Sequence, residues 1–337
     1  PGVPQAIAAC RRAGIKVTMV TGDYGLTAQA IARQIGLLEV PAQAAADPVR
    51  VISGDDMARL SEAQLRQLIR YRSRLVFARM APEQKLRLVQ AYRAIGEVVA
   101  VTGDGVNDAP ALRAADVGIA MGRNGTDVAR EAADIVLLDD NFATIVSAVR
   151  HGRAVYQNIR HFILYIMASN VAEVAPFITM LLVRIPAALT VLQILAVDLG
   201  TDLLPALGLG AQGPQPELMA EPPRRRVQPL LDRNLLQRAY LFMGLLEGVM
   251  AMLGYALSWW RHGVGLAELR ALAPALLHHS APAAVLQMQH EASAVALGSI
   301  VFAQVGTLLA CRSDWRPMVQ VPLWRNPLLW LGVAVEL

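Results

Sequence analysis

The order of apolar and polar runs predicts an α/β domain on a parallel sheet, followed by an α-helical transmembrane bundle. Three observations carry that expectation. Residues 1–142 alternate short β-like apolar runs with amphipathic helical segments, the pattern of parallel strands covered by helices. Beyond residue 162 the chain carries apolar runs of about 20 residues, long enough to cross a bilayer. Hydrophobic residues make up 55% of the chain and charged ones only 17%, with the acidic residues concentrated in the first half. Net charge is only +4, and the arginines flank apolar runs instead of forming a patch, which favours membrane topology and excludes nucleic acid as a partner. Cys10 and Cys311 are far apart and in no metal spacing, so neither a disulfide framework nor a zinc site is implied. No signal peptide is visible. Pro1 starts the sequence without Met, and its last apolar run is short of a span, so the chain reads as a fragment.

Taken in order, residues 17–20 form a buried-strand candidate that ends at Thr21-Gly22-Asp23. A helix is expected over residues 26–37, closed near Gly36. Residues 40–56, with two prolines and many alanines, read as a peripheral connection. Residues 75–78 are the next strand, and Pro82 opens a helix through about residue 94 that carries Lys85. After the loop that follows residue 101, residues 117–120 and 134–138 supply further strands.

The domain is organised around Thr102-Gly103-Asp104-Gly105-Val106-Asn107-Asp108-Ala109-Pro110. The apolar run 98–101 ends there, the chain turns through Gly103 and Gly105, and Pro110 opens a helical segment. Strand, glycine-bearing loop and helix is how an open α/β sheet builds a site at its strand ends. Two carboxylates and an amide on that loop suit a hard divalent cation with bound phosphate. An Asp/Asn/Gly turn that merely caps a helix has the same residue types, but not this whole string.

That string resembles the hinge motif of P-type ATPases, cation pumps whose phosphorylation domain is similar to haloacid dehalogenases. The resemblance implies an α/β haloacid-dehalogenase-like (Rossmann-type) fold for residues 1–142, the C-terminal part of a cytoplasmic phosphorylation domain. It further implies that Thr21, Gly22 and Asp23 line the phosphate and nucleotide site and that Lys85 contacts the transferred phosphoryl group. Asp104 is implied as a ligand of Mg²⁺, with Asn107 and Asp108 fixing loop and phosphate geometry. Phosphoryl transfer needs charge neutralisation and alignment more than covalent assistance, which is what such a set provides. The family's nucleophile sits in Asp-Lys-Thr-Gly-Thr, a string that does not occur here. The nucleotide-binding insert that would hold ATP is not in this chain either.

Asp139-Asp140-Asn141 precedes a long helical run, residues 143–161, kept wet by arginines, His151 and Asn158 and expected as a stalk. Spans follow at about residues 162–183, 189–209, 239–260 and 292–311, with a truncated apolar run at 327–337. The first span carries Asn170 and Glu173 on one helix face, with Pro176 a turn later. The second carries Asp198, Thr201 and Asp202 at spacings of three and four. A carboxylate at bilayer depth costs roughly 2.5 kcal/mol or more. No lysine or arginine lies within either run, so these oxygens are expected to form a cage for a transported cation. Glu247 in the third span is a minor candidate member of the same site, with a lone carboxylate as its only signal, and Gln304 in the fourth offers a further polar ligand, with helix packing the safer reading for it. The arginine-rich loop around residues 221–238 is expected in the cytoplasm, with residues 1–161 on the same side, and the stretch before residue 291 outside.

Ser169-Asn170-Val171-Ala172-Glu173 looks like the fifth-helix ion motif of calcium pumps, and Asp198-Leu199-Gly200-Thr201-Asp202 like the sixth-helix motif of sodium/potassium pumps. Calcium pumps carry Asn where this chain has Asp198, so Ca²⁺, Na⁺, K⁺ and H⁺ all stay open as cargo. The expectation is an integral, multi-pass protein of the plasma (inner) membrane, a P2-like ATPase that phosphorylates an aspartate and drives cations through the bilayer. Its partners would be the lipid bilayer and the remainder of the pump. By itself the chain would be inactive. Two rivals stand beside this: a catalytically dead fragment or split half that binds cations, and a membrane-anchored phosphatase. The second needs its own Asp-x-Asp nucleophile, and none is seen.

Overall fold

The computed structural model describes residues 2–38, 50–72, 74–224, 226–278, 280–321 and 326–337. Contacts divide the chain into one unit of Pro1–His151 with Pro216–Gln228, and another of Gly152–Gln215 with Pro229–Leu337.

The first unit is α/β, with six strands among the described residues: β1 (Met19–Val20), β2 (Arg50–Ser53), β3 (Leu75–Ala78), β4 (Ala100–Gly103), β5 (Val117–Met121) and β6 (Ile135–Leu137). They form two three-stranded parallel sheets, ordered β1-β3-β2 and β4-β5-β6. β3 is buried along its whole length, as expected of a central parallel strand covered on both faces. Its Phe77 and Leu75 pack with Met57, Leu65, Ile69 and Leu88, while Val76 and Ala78 face Ala28, Ala32 and Leu37 on the other side. β1 and β4 are edge strands, and each ends at one of the two polar turns singled out above.

The strands expected at residues 75–78 and 117–120 are present, and the helix Pro82–Ala94 starts at its proline. β1 is shorter than expected because only Met19 and Val20 find partners on β3. One expectation is corrected. The supposed connection over residues 40–56 contains β2 and the start of the helix Gly54–Ala58, although residues 40–49 lie outside those described. Arg50-Val51-Ile52-Ser53 has too few apolar residues to show a period, and its strand form comes from pairing with β3. The helices Gly54–Ala58 and Glu62–Tyr71 begin at serine capping boxes on Ser53 and Ser61.

Close backbone approach fixes the turn after β5. A Cβ on Gly125 would lie 2.0 Å from the Met121 carbonyl oxygen, so only glycine fits. The same turn donates N–H bonds from Gly122 (2.7 Å), Arg123 (3.0 Å) and Asn124 (2.8 Å) to the Asp140 carboxylate. These donors, Arg123 foremost, hold the Asp140 carboxyl below its ordinary pKa.

A single 42-residue helix, Phe142–Val183, carries residues of both units. Among the described residues, three further helices are long and apolar enough to cross a membrane: Val191–Gly210, Arg233–Arg261 and Ala283–Ala310. The last helix is Pro327–Glu336. The fourth span's helix starts nine residues before its expected apolar segment, and the preceding stretch holds a helix, Leu266–Leu277. Gln287, Gln289, His290 and Glu291 lower the hydropathy of residues 283–291, yet glutamine and glutamate are good helix formers. Within the second unit the spans pack through small residues. A Cβ on Gly244 would meet the Val171 Cβ at 2.6 Å, and one on Gly248 the Ala175 Cβ at 2.7 Å, which brings the third span's backbone against the first.

Candidate functional site

In the first unit the polar residues cluster at the C-terminal ends of β1, β3 and β4, as an open parallel sheet requires. Thr21 continues the β1 ladder, its N–H donating to the Phe77 carbonyl at 2.9 Å. The Thr21 hydroxyl donates to the Asp23 carboxylate at 3.0 Å and accepts the Asp23 N–H at 3.1 Å, a local Thr-Gly-Asp turn. That turn is tied to the chain after β3 by N–H bonds from Arg79 to the Asp23 carbonyl and from Met80 to the Thr21 carbonyl. Arg79 sits at φ +54°, a left-handed conformation uncommon for arginine, and its guanidinium lies 5.2 Å from the Tyr24 ring centre.

Lys85 Nζ lies 2.7 Å from Asp108 Oδ1. The other Asp108 oxygen accepts the backbone N–H groups of Asp104 and Gly105, each at 3.3 Å. Asp108 therefore braces the loop and holds the lysine in one arrangement. Glycine is required at position 103, where a Cβ would come within 2.5 Å of the Asp108 Cβ. The Asp104 carbonyl accepts the Thr126 N–H at 2.8 Å, so the backbone of Asp104 is held on two sides. Its carboxylate, like the Asn107 amide, is exposed and makes no hydrogen bond among the described residues. That donor set fits magnesium, which keeps several waters and takes one or two carboxylates beside phosphate oxygens. Among the described residues, no hydrogen bond joins the Thr21–Asp23 turn to the Asp104 loop.

In the second unit, one oxygen from each of Glu173, Asp198 and Asp202 lies within 4.8 Å of the other two. Glu173 (5% exposed) and Asp202 (4%) are buried, while Asp198 is exposed. Asp202 accepts from the Tyr165 hydroxyl at 3.2 Å and from the Ser169 hydroxyl, and the Gln304 amide donates to that serine. Asp198 lies in a π-helical turn, Val197–Thr201, that interrupts the second span just before Asp202. Such turns shift side chains out of the regular helical register and recur at functional sites. Thr201 spends its hydroxyl on the Val197 carbonyl of its own helix (2.9 Å), and Asn170 lies on the exposed side of the first span. Neither bonds to the carboxylates.

Tyr165 and Glu336 belong to this neighbourhood and were not singled out from sequence. Tyr165, Ser169 and Glu173 recur every four residues, one face of one helix, and that stripe was a readable signal. Glu336 had none, because its position depends on how the last helix packs. A Cβ on Gly332 would meet the Pro205 backbone at 2.7 Å, which shows how closely that helix lies on the second span.

Comparison with known proteins agrees with this division of chemistry. Residues 186–337 match the family model "Cation transporting ATPase, C-terminus". Residues 1–116 match a model of haloacid dehalogenase-like hydrolases, and residues 85–149 match a second such model. The chain is 41% identical over 271 residues to the sodium/potassium-transporting ATPase subunit alpha of Drosophila melanogaster, covering 75% of the chain and 26% of that protein. It is similarly 41% identical to the alpha-4 subunit of Homo sapiens, with the same coverage, and 40% identical to the alpha-3 subunit of Gallus gallus, with 27% of that protein covered. The chain thus spans about a quarter of the length of the curated relatives it matches.

Proposed function

The chain belongs to the P-type cation-transporting ATPases, multi-pass membrane proteins, and on that premise we propose that it forms the C-terminal part of a pump driven through an aspartyl phosphate. In the intact pump an aspartate from another segment attacks the γ-phosphorus of ATP. A carboxylate–phosphorus bond forms, the bond to the bridging oxygen breaks, and ADP leaves. Lys85 neutralises an oxygen of the moving phosphoryl group, and Asp108 keeps the ammonium in place. Asp104 and Asn107 supply oxygens for magnesium, which when bound neutralises charge on the phosphate oxygens. The turn Thr21–Asp23 lines the phosphate from β1. Among the described residues β1 and β4 each keep one edge open beside a polar turn, where a nucleophile-bearing strand has backbone groups to pair with.

The cargo reading rests on one observation above the others: three carboxylates converge within 4.8 Å, all from the apolar runs 162–183 and 189–209, which contain no lysine or arginine. Like charges so arranged need a cation between them. Asp198 adds a negative charge where calcium pumps use Asn, and the relatives named for sodium and potassium support the same direction. We infer a monovalent cargo. The test is ATPase activity of the intact pump across a calcium, sodium and potassium series. Sodium or potassium is expected to stimulate, and Asp198→Asn to raise the half-saturating concentration about tenfold. Stimulation by calcium alone would overturn the monovalent reading.

A further inference from the structure

Only its backbone aims the Asp104 carboxylate, which is exposed and bonds to no other described residue. Asp108 fixes that backbone from the amide side. On the carbonyl side, among the described residues, the Thr126 N–H does so, donating to the Asp104 carbonyl at 2.8 Å. Thr126 ends a turn, residues 122–125, that belongs to no helix or strand and takes its shape from two side chains. The Arg130 guanidinium donates to the carbonyls of Gly122 and Gly125. Asp140 takes the N–H groups: one carboxylate oxygen accepts from Gly122 and Arg123, and the other from Asn124. Asp140 itself sits at φ +49°, in the left-handed region that aspartate tolerates better than most residues. Its own N–H donates to the Leu137 carbonyl, which also accepts the Gly122 N–H, so residue 140 is seated against the turn.

Hydrogen bonds to an ionised carboxylate are roughly twice as strong as neutral ones, so three N–H groups on Asp140 hold the turn firmly. We propose that Asp140 is a positioning residue for magnesium: through the turn and the Thr126 N–H it holds the Asp104 carbonyl, and so aims the carboxylate that takes the metal. The route runs from the Asp140 carboxylate to the N–H groups of residues 122–124, then to the Thr126 N–H and the Asp104 carbonyl. Every link lies within the first unit. Groups that orient a metal ligand without touching the metal are worth about 10–100-fold in metal affinity. The inference rests on the reading of Asp104 as a magnesium ligand and adds to it a residue remote in sequence.

The test titrates free Mg²⁺ against acid-stable phosphoenzyme formed from ATP in the intact pump, wild type beside Asp140→Asn. Asparagine also tolerates the left-handed conformation, but it offers a single acceptor oxygen and turns an NH₂ group toward backbone donors. Half-saturating Mg²⁺ is expected to rise about tenfold, with the phosphoenzyme level recovered at saturating Mg²⁺. A residue that only kept the fold intact would lower that final level and leave half-saturation unmoved, and this result overturns the inference. Thr126→Pro deletes the N–H at the end of the route, at a residue whose φ of −72° suits proline, whereas Thr126→Ala removes only the capping hydroxyl. The proline variant should shift half-saturating Mg²⁺ as Asp140→Asn does, and further than the alanine variant; equal shifts in the pair count against the route. Should the asparagine variant fail to accumulate, the Thr126 pair decides. A readout independent of activity is amide exchange in the metal-free pump, which should quicken in Asp140→Asn over residues 103–108 as well as 122–126. Exchange unchanged over 103–108 overturns the inference. A wild-type pump that forms phosphoenzyme without magnesium refutes the magnesium reading itself, whereas a magnesium-dependent wild type with an unshifted Asp140→Asn refutes only the positioning role.

Discussion

Asp104→Ala in the intact pump removes Mg²⁺-dependent phosphorylation, with an expected loss of about 10²–10³-fold in the rate of phosphoenzyme formation. The size of the effect follows from what the side chain does and does not touch. Its carboxylate is exposed and bonds to no other described residue, so truncation opens no cavity and breaks no ion pair. The loop keeps its shape through Asp108, which accepts the backbone N–H groups of residues 104 and 105, and through the Thr126 bond to the Asp104 carbonyl. On the proposed reading, what is lost is a negatively charged oxygen that would hold magnesium where charge develops on the phosphoryl group. Asp104→Asn keeps the shape without the charge and should be nearly as damaging. Acid-stable incorporation of phosphate from ATP measures both, and normal phosphoenzyme levels in either variant would remove Asp104 from the magnesium site.

Asp202→Asn is expected to act on the cargo instead. Asp202 is buried, receives two hydroxyl donors, and brings its oxygens within reach of Glu173 and Asp198. An amide at this position turns one acceptor into a donor facing Tyr165 or Ser169, and it removes a full charge from a low-dielectric site. Half-saturating cation should rise about 10²-fold, more than for the exposed Asp198. The readout is cation-titrated ATPase activity. If neither Asp202→Asn nor Asp198→Asn moves the half-saturation point of any ion, the cage has been misplaced.

Much of the scaffold was legible in the sequence because its signals are local. The β3 run is apolar over its whole length, Pro82 marks a helix start, and the spans are long apolar runs. The string from Thr102 to Pro110 could be read for the same reason: its loop is braced by its own Asp108. The less legible features depend on partners distant in sequence. Residues 50–53 become a strand only against β3, and the α/β unit carries two small sheets with β1 and β4 as edges. Glu336 gains its meaning from helix packing, and the π-helical turn that carries Asp198 has no residue signature of its own. Helix length was also underestimated, because hydropathy marks what crosses a bilayer while helix propensity decides how far the helix extends.

The most direct test compares two proteins under one labelling assay, the intact pump and the 337-residue chain, each given radiolabelled ATP with Mg²⁺. The intact pump should form an acid-stable phosphoenzyme whose level responds to sodium or potassium. The chain by itself, with Lys85, Asp104 and Asp108 in place but no Asp-Lys-Thr-Gly-Thr, should stay unlabelled. Metal-dependent label on the chain alone would contradict the assignment, because it would place a nucleophile within these residues.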